Sequence, residues 1–193
     1  MTPHVDRENA LQNLRDDQLL DGIQHGDAHA FTQLYELYKT RLYSYCLKLL
    51  RDGQNAEDAV QETFVKVHAG CHSVRSLQSL RGWIFTIARN EAFGILRKAK
   101  MSLVEEDGQV WENETPLELL VQSERKDIVQ HFLRELRPEY HEVLMLREYE
   151  DFSYAEIARI TSSTESSVKS RIFKARRALV EKLQPFFEEK ESL

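Results

Sequence analysis

The sequence predicts an all-α protein: two small helical domains joined by an acidic linker, the second carrying a helix-turn-helix. Three observations predict it. Only seven Gly and four Pro occur in 193 residues, too few for the turns of a sheet-rich fold. Apolar residues recur three and four apart over long stretches, which is the period of a helix. Charge is divided into blocks, basic, acidic and basic again, so that a polar middle segment separates two patterned ones.

Composition narrows the class further. The chain is 41% apolar, with 26 Lys+Arg against 32 Asp+Glu and a net charge of -6. Disordered chains combine low hydrophobicity with high net charge, and this one does not. No run free of Asp, Glu, Lys and Arg exceeds eight residues, whereas a membrane span needs about 20 apolar residues. The N-terminal stretch MTPHVDRENALQNLRDD has no apolar core and is not a secretory signal. Cys46 and Cys71 lack paired spacing and suggest no disulfide framework. The expectation is a cytoplasmic protein without membrane insertion.

The elements follow in order. Residues 1–15 form an N-terminal tail. From Asp16 to Leu50 the helical apolar positions are Leu19, Leu20 and Ile23, then Phe31, Leu34, Tyr35, Tyr38, Leu42, Tyr45 and Leu49. Gly26 ends the first of these helices and Asp27 caps the next. Asp52-Gly53 marks a turn, after which Asn55 suits the N-cap of a helix Ala56–Ala69, with Glu57, Asp58 and Glu62 near its positive end. Its inward face is Ala59, Val60, Thr63, Phe64 and Val67. Gly70–Ser79 reads as a polar loop. A helix then runs from about Leu80 to Lys98, with Ile84, Ile87, Ala88 and Ile95 inward. Periodicity is lost over Met101–Pro116, and the linker is placed at 101–124. Leu119, Leu120, Ile128, Val129, Phe132 and Leu136 resume a helical stripe, and Pro138 suits the first position of a helix reaching about Tyr149. Ser153 and Glu156 match a capping box that starts a short helix Tyr154–Ile160. Thr161-Ser162-Ser163 is a turn, and Thr164 caps a last helix to about Leu183, followed by a tail at 186–193.

The charge blocks suggest what the two domains hold. Between Arg75 and Lys100 there are six basic residues and one acid; between Met101 and Glu124 there are seven acids and no Lys or Arg; between Thr164 and Lys182 there are six basic residues and two acids. Basic clusters attract phosphate backbones, and a locally basic field survives an acidic total because charge is screened beyond about 8–10 Å at cellular salt. Charge runs are also, more commonly, solvated helix faces.

Two short helices joined by a tight turn make a helix-turn-helix. On the second of them Val168, Ile172, Ala175 and Leu179 face the core, leaving Ser166, Lys169, Ser170, Phe173, Lys174 and Arg177 outward. Such a helix presents its N-terminal residues to base edges in the major groove. An ordinary helical hairpin with a basic surface is the alternative, and the absence of Gly from the turn favours it slightly. In the first basic block, Arg81, Phe85, Arg89, Phe93 and Arg97 recur every fourth residue. Each step drifts about 40° on an α-helix, so they wind round it as a ridge. Cations for phosphate and rings for base stacking are how proteins hold single strands. Burial of Phe85 or Phe93 in the core is the competing reading.

Together these blocks resemble a bacterial RNA polymerase sigma factor of the extracytoplasmic-function subgroup of the sigma-70 family. The matching residues are Gly26-Asp27-Ala28 with Phe31 and Leu34-Tyr35; Ala56-Glu57-Asp58-Ala59-Val60-Gln61-Glu62-Thr63-Phe64; Trp83-Ile84-Phe85-Thr86-Ile87-Ala88-Arg89-Asn90 leading to Arg97-Lys98; and Ala155-Glu156-Ile157-Ala158 with Ser167-Val168-Lys169-Ser170-Arg171 and Ala175-Arg176. Four blocks in this order and spacing are specific where each alone is not.

The resemblance implies a role for each part. Residues 16–100 would correspond to the region 2 domain, which binds core polymerase and the −10 element, with Asp58, Gln61 and Glu62 as core contacts. The loop Cys71–Ser79 would capture a flipped base and the following helix would hold the melted strand. That implies Ser73, Arg75, Ser76, Arg81, Phe85, Arg89, Asn90, Arg97 and Lys98 as −10 contacts. Residues 125–185 would correspond to the region 4 domain. Its recognition helix would read the −35 element through Glu165, Ser166, Lys169, Ser170, Arg171, Phe173, Lys174 and Arg177. The implied partners are core RNA polymerase, promoter DNA and a restraining anti-sigma factor, with no small-molecule substrate. Two departures stand out: the family commonly has Asp where this chain has Gly94, and Thr161-Ser162-Ser163 replaces an apolar-Gly-apolar turn.

No motif argues for catalysis, and no cofactor is expected. His68, Cys71 and His72 are of metal-ligating type, but no fourth ligand is evident and no metal is assigned to them. Two other readings fit parts of the pattern. One is a stand-alone DNA-binding regulator. The other is a decoy that titrates an anti-sigma factor, against which both basic faces speak.

Overall fold

A computed structural model describes residues 18–19, 21–71, 80–105, 129, 131–133 and 135–188. The N-terminal tail, the loop that carries Ser73, Arg75 and Ser76, His72, and the acidic segment beyond Glu105 lie outside the described residues. Among those described there are helices and no strand. They fall into two compact units, Met1–Lys98 and Ala99–Leu193.

The first unit is built on α1 (Ala28–Leu50), α2 (Gly53–Gly70) and the part of α3 (Leu80–Glu105) that reaches Lys98. Helix α1 begins as the sequence predicts. Gly26 takes a left-handed φ of 77°, which costs glycine nothing, and the Asp27 carboxylate accepts the His29 amide at 2.8 Å. Leu34, Tyr38, Leu42, Tyr45 and Leu49 make its buried stripe. Each such side chain contributes about 1.5–3 kcal/mol on leaving water. Helix α2 starts three residues earlier than the sequence suggests. Its cap is Asp52, whose carboxylate accepts the Asn55 amide at 2.7 Å, so Asn55 supplies a backbone donor where it was expected to supply the cap. The inward face is the expected one: Ala59, Val60, Thr63, Phe64 and Val67 are all buried.

Helix α3 also differs from expectation. It outruns Lys98 and continues to Glu105, into the segment read as linker. Burial ends before hydrogen bonding does: Ala92 is wholly buried whereas Met101 is 72% exposed. Apolar periodicity therefore disappears while the helix persists. Gly94 sits inside α3, and a Cβ built there would meet nothing within 4 Å.

Cys46 is buried on α1, and burial pushes its thiol up to about 12. The neutral thiol is favoured by folding, so this contribution is complete below the ordinary 9.0 and is lost as pH climbs through about 12. Alkylation of the native protein at pH 8 should leave Cys46 unmodified, with reaction appearing only in denaturant; peptide mass spectrometry reads this directly.

The second unit contains α4 (Pro138–Leu144), which runs into a π-helical turn at Met145–Tyr149, then α5 (Tyr154–Ile160) and α6 (Glu165–Glu188). Pro138 occupies the first turn as predicted. The π turn was not legible in the sequence. Helix α6 packs on α4 and α5, burying Val143, Leu146, Ile157, Val168 and Ile172. Helix α6 ends at Glu188, beyond the predicted Leu183.

Candidate nucleic-acid interface

The helix-turn-helix is fixed at both joints by short-range hydrogen bonds. Ser153 Oγ accepts the Glu156 amide while the Glu156 carboxylate accepts the Ser153 amide at 2.7 Å, so the capping box is complete. In the turn, Thr161 Oγ1 donates to the Ile157 carbonyl at 2.7 Å and lies 2.8 Å from Ser163 Oγ. Ser163 N donates to the Ala158 carbonyl at 2.8 Å. Ser162 takes φ 50°, the left-handed geometry that costs a non-glycine residue about 1–2 kcal/mol. The hydroxyls of Thr161 and Ser163 thus brace a turn that glycine would make without strain. Thr164 Oγ1 then accepts the Ser167 amide at 3.2 Å and caps α6.

This frame decides which face of α6 is turned outward. Val168, Ile172 and Ala175 are buried. Glu165, Ser166, Lys169, Ser170, Phe173, Lys174 and Arg177 are exposed, and Arg171 is half-buried. The structure therefore gathers the predicted recognition residues other than Arg171 on one solvent-facing surface, with Phe173 67% exposed among cations, while Arg171 sits at the edge of the buried side. Arg177 pairs with Glu181 at 2.7 Å and Arg176 with Glu148 at 2.5 Å. These exposed pairs add little stability. Sequence reasoning missed one local arrangement. The Tyr154 ring has Arg147 Cζ 5.1 Å and Lys169 Nζ 5.9 Å from its centroid. Arg147 lies on the π turn, where the 3.6-residue period gives no guide to facing.

Helix α3 sorts its predicted contacts. Asn90, Arg97 and Lys98 are exposed, while Arg81 and Arg89 are half-buried. Arg89 Cζ stands 4.6 Å from the centroid of the Phe93 ring. Phe85 is a correction. Its side chain is 0% exposed, with its ring edge-to-face on Tyr45 at 5.4 Å. Packed this way it offers no face to a base. The ridge drifts round the helix, and at Phe85 it passes through the buried side.

On α2, Asp58, Gln61 and Glu62 are exposed. Gln54 donates to Asp58 at 3.3 Å. Lys66 bridges Glu91 on α3 at 2.7 Å and Glu62 at 3.5 Å. Its pKa is raised, chiefly by the hydrogen bond to Glu91. Beside these residues, between α1 and α2, runs a groove of about 990 Å³ lined by Phe31, Tyr35, Tyr43, Gln61, Phe64 and Val65 among others. Tyr35 and Val65 remain 41% and 56% exposed there. The Tyr35 ring leans on Phe64 at 4.7 Å, at the groove. His68 meets Phe31 edge-on at 5.0 Å, and Cys71 Sγ donates to the His68 carbonyl at 3.2 Å. No helix among the described residues is long and apolar enough to cross a membrane.

Comparison with known proteins bears on both units. Residues 34–101 match the Sigma-70 region 2 family and residues 126–179 match Sigma-70, region 4. The ECF RNA polymerase sigma-E factor of Escherichia coli K12 is 31% identical over 186 residues, spanning 90% of this chain and 97% of the relative. The RNA polymerase sigma-H factor of Pseudomonas aeruginosa is 29% identical over 191 residues, spanning 93% and 99%. The sigma factor RpoE of Bartonella quintana, solved with the anti-sigma factor NepR, superposes with TM-score 0.68 at 29% identity over 80% of this chain and 96% of that one. Two consecutive family domains and relatives matched along nearly their whole length place this chain in the extracytoplasmic-function sigma factors of the sigma-70 family.

Proposed function

We infer that this protein is the promoter-specificity subunit of RNA polymerase: it binds the core enzyme, directs it to promoters with −10 and −35 elements, and assists melting. The observation that carries this reading is the braced helix-turn-helix whose second helix turns a cationic face to solvent. In this reading α6 reads the −35 element through Glu165, Ser166, Lys169, Ser170, Arg171, Phe173, Lys174 and Arg177. Single-strand holding falls to Arg81, Arg89, Asn90, Arg97 and Lys98 on α3, with Ser73, Arg75 and Ser76 of the preceding loop. Residues 16–100 and 125–185 are the two functional domains. Asp58, Gln61 and Glu62 contact the polymerase, and the apolar groove beside Gln61 widens that surface. The polymerase supplies the chemistry, in the cytoplasm, and this chain is not an enzyme.

Restraint by an anti-sigma factor belongs to the same proposal. It is supported by the similar Bartonella quintana protein, which was solved with one. The test is reconstitution. Purified protein, core RNA polymerase and a library of genomic promoter fragments are combined, and run-off transcripts are sequenced. Defined start sites preceded by two spaced motifs are expected. Stable binding to core without transcripts would leave a decoy, and no binding to core would leave a stand-alone regulator.

A further inference from the structure

Tyr154 belongs to no base-reading face, yet two cations from different elements converge on its ring. Arg147 Cζ, from the π turn, lies 5.1 Å from the centroid, and Lys169 Nζ, from the recognition helix, lies 5.9 Å from it. Arg147 is itself held in place: its Nη1 donates to the Phe152 carbonyl at 2.9 Å. The ring is half-buried, and its backbone is fixed in turn, because Tyr154 is the first residue of α5 and lies within the capping box Ser153–Glu156. Lys169 differs from both. It is exposed, and its long side chain carries several freely rotating bonds.

We propose that Tyr154 is a positioning residue for promoter recognition: its ring fixes the Lys169 ammonium at the start of the recognition helix before DNA arrives. The inference rests on the −35 reading of α6 and deepens it. A cation over an aromatic face is attracted by the ring quadrupole, more strongly once water is excluded, as it is when a helix enters a groove. Two like charges would otherwise repel, and the shared ring offsets this. The benefit is entropic: a lysine already confined loses less rotamer freedom on binding. The hydroxyl plays no part, since the electron-rich face does the holding.

The test uses the full-length protein bound to core polymerase and promoter fragments. Tyr154→Leu is expected to weaken −35-dependent binding about three- to fivefold, the size of an exposed cation–π contact. Tyr154→Phe should stay within about twofold of wild type. Combined with Lys169→Ala, Tyr154→Leu should add nothing further, because the residue acts through that lysine. A second measurement needs no DNA. Ring-current shifts of the Lys169 ε-methylene protons should be present in wild type and in Tyr154→Phe, and absent in Tyr154→Leu. This guards against a variant that merely loosens α5, as does its melting temperature. Additive losses in the double variant would overturn the proposal. So would a Tyr154→Phe defect equal to that of Tyr154→Leu, which would assign the hydroxyl to a phosphate. So would the absence of any ring-current shift. Failure of the wild-type holoenzyme to use a −35 element at all would sink the promoter reading instead, and the ring-current measurement would still decide whether the ring holds the lysine.

Discussion

Replacing Phe85 with alanine is expected to destabilise the first unit by about 3–5 kcal/mol, the usual cost of emptying a fully buried aromatic site. The residue is wholly enclosed and meets Tyr45 edge-to-face. A unit of this size has only about 5–15 kcal/mol of net stability, so the substitution should remove a large share of it and lower the unfolding midpoint markedly. Denaturant titration followed by circular dichroism and by tryptophan fluorescence checks this. Phe85→Leu, which keeps most of the volume, should cost far less. The experiment also separates two functions for one ring. If Phe85 stacked on a DNA base, Phe85→Ala would spare stability and impair only promoter opening. An unchanged unfolding midpoint with impaired opening would reverse the assignment of Phe85 to the core.

The second large effect concerns DNA. Removing two charges from the recognition helix, Lys169→Ala with Arg171→Ala, should weaken −35-dependent binding by about thirtyfold or more, since two base or phosphate interactions worth about 1–3 kcal/mol each sum to at least about 2 kcal/mol. Lys169 is exposed and Arg171 half-buried, so the helix should stay folded; circular dichroism controls for that. Salt dependence tells the two kinds of interaction apart. Taking away one cation that neutralises a phosphate lowers the slope of log affinity against log salt by about one, because one fewer counterion is released. Taking away a base-reading group relaxes sequence preference at one position and leaves the slope nearly unchanged. Promoter use identical to wild type would count against α6 as the −35 reader.

How much of this was legible in the sequence depends on how local the cause is. The Asp27 cap, the Ser153–Glu156 box and the Thr164 cap each form within three residues of chain, and all three could be read directly. So could the outward face of α6, because helical periodicity fixes it once Val168, Ile172 and Ala175 are known to be inside. Asp52 outcompeted Asn55 for the α2 cap because both are good caps three residues apart, and sequence alone does not rank them. The far end of α3 was missed because burial stops before the helix does. Phe85 was ambiguous because a four-residue ridge crosses the core boundary, and only Tyr45, forty residues away, settles which side it takes. The α1–α2 groove and the Arg147–Tyr154–Lys169 cluster arise from tertiary packing. No window of sequence contains them.

Gly94 has a mechanical consequence. A glycine inside a helix costs about 1 kcal/mol relative to alanine, and is usually kept for a turn or a tight approach. Here neither applies, since the space where a Cβ would stand is open. The helix therefore contains a compliant joint. On its N-terminal side the chain is clamped by Ile84, Ala88 and Ala92, all fully buried. On its other side Arg97, Lys98 and Ala99 are exposed. A penalty of about 1 kcal/mol multiplies the population of locally opened states about fivefold. Thermal opening of α3 would thus be concentrated beyond Gly94, so that the outer turns can flex or fray while the clamped turns keep their register.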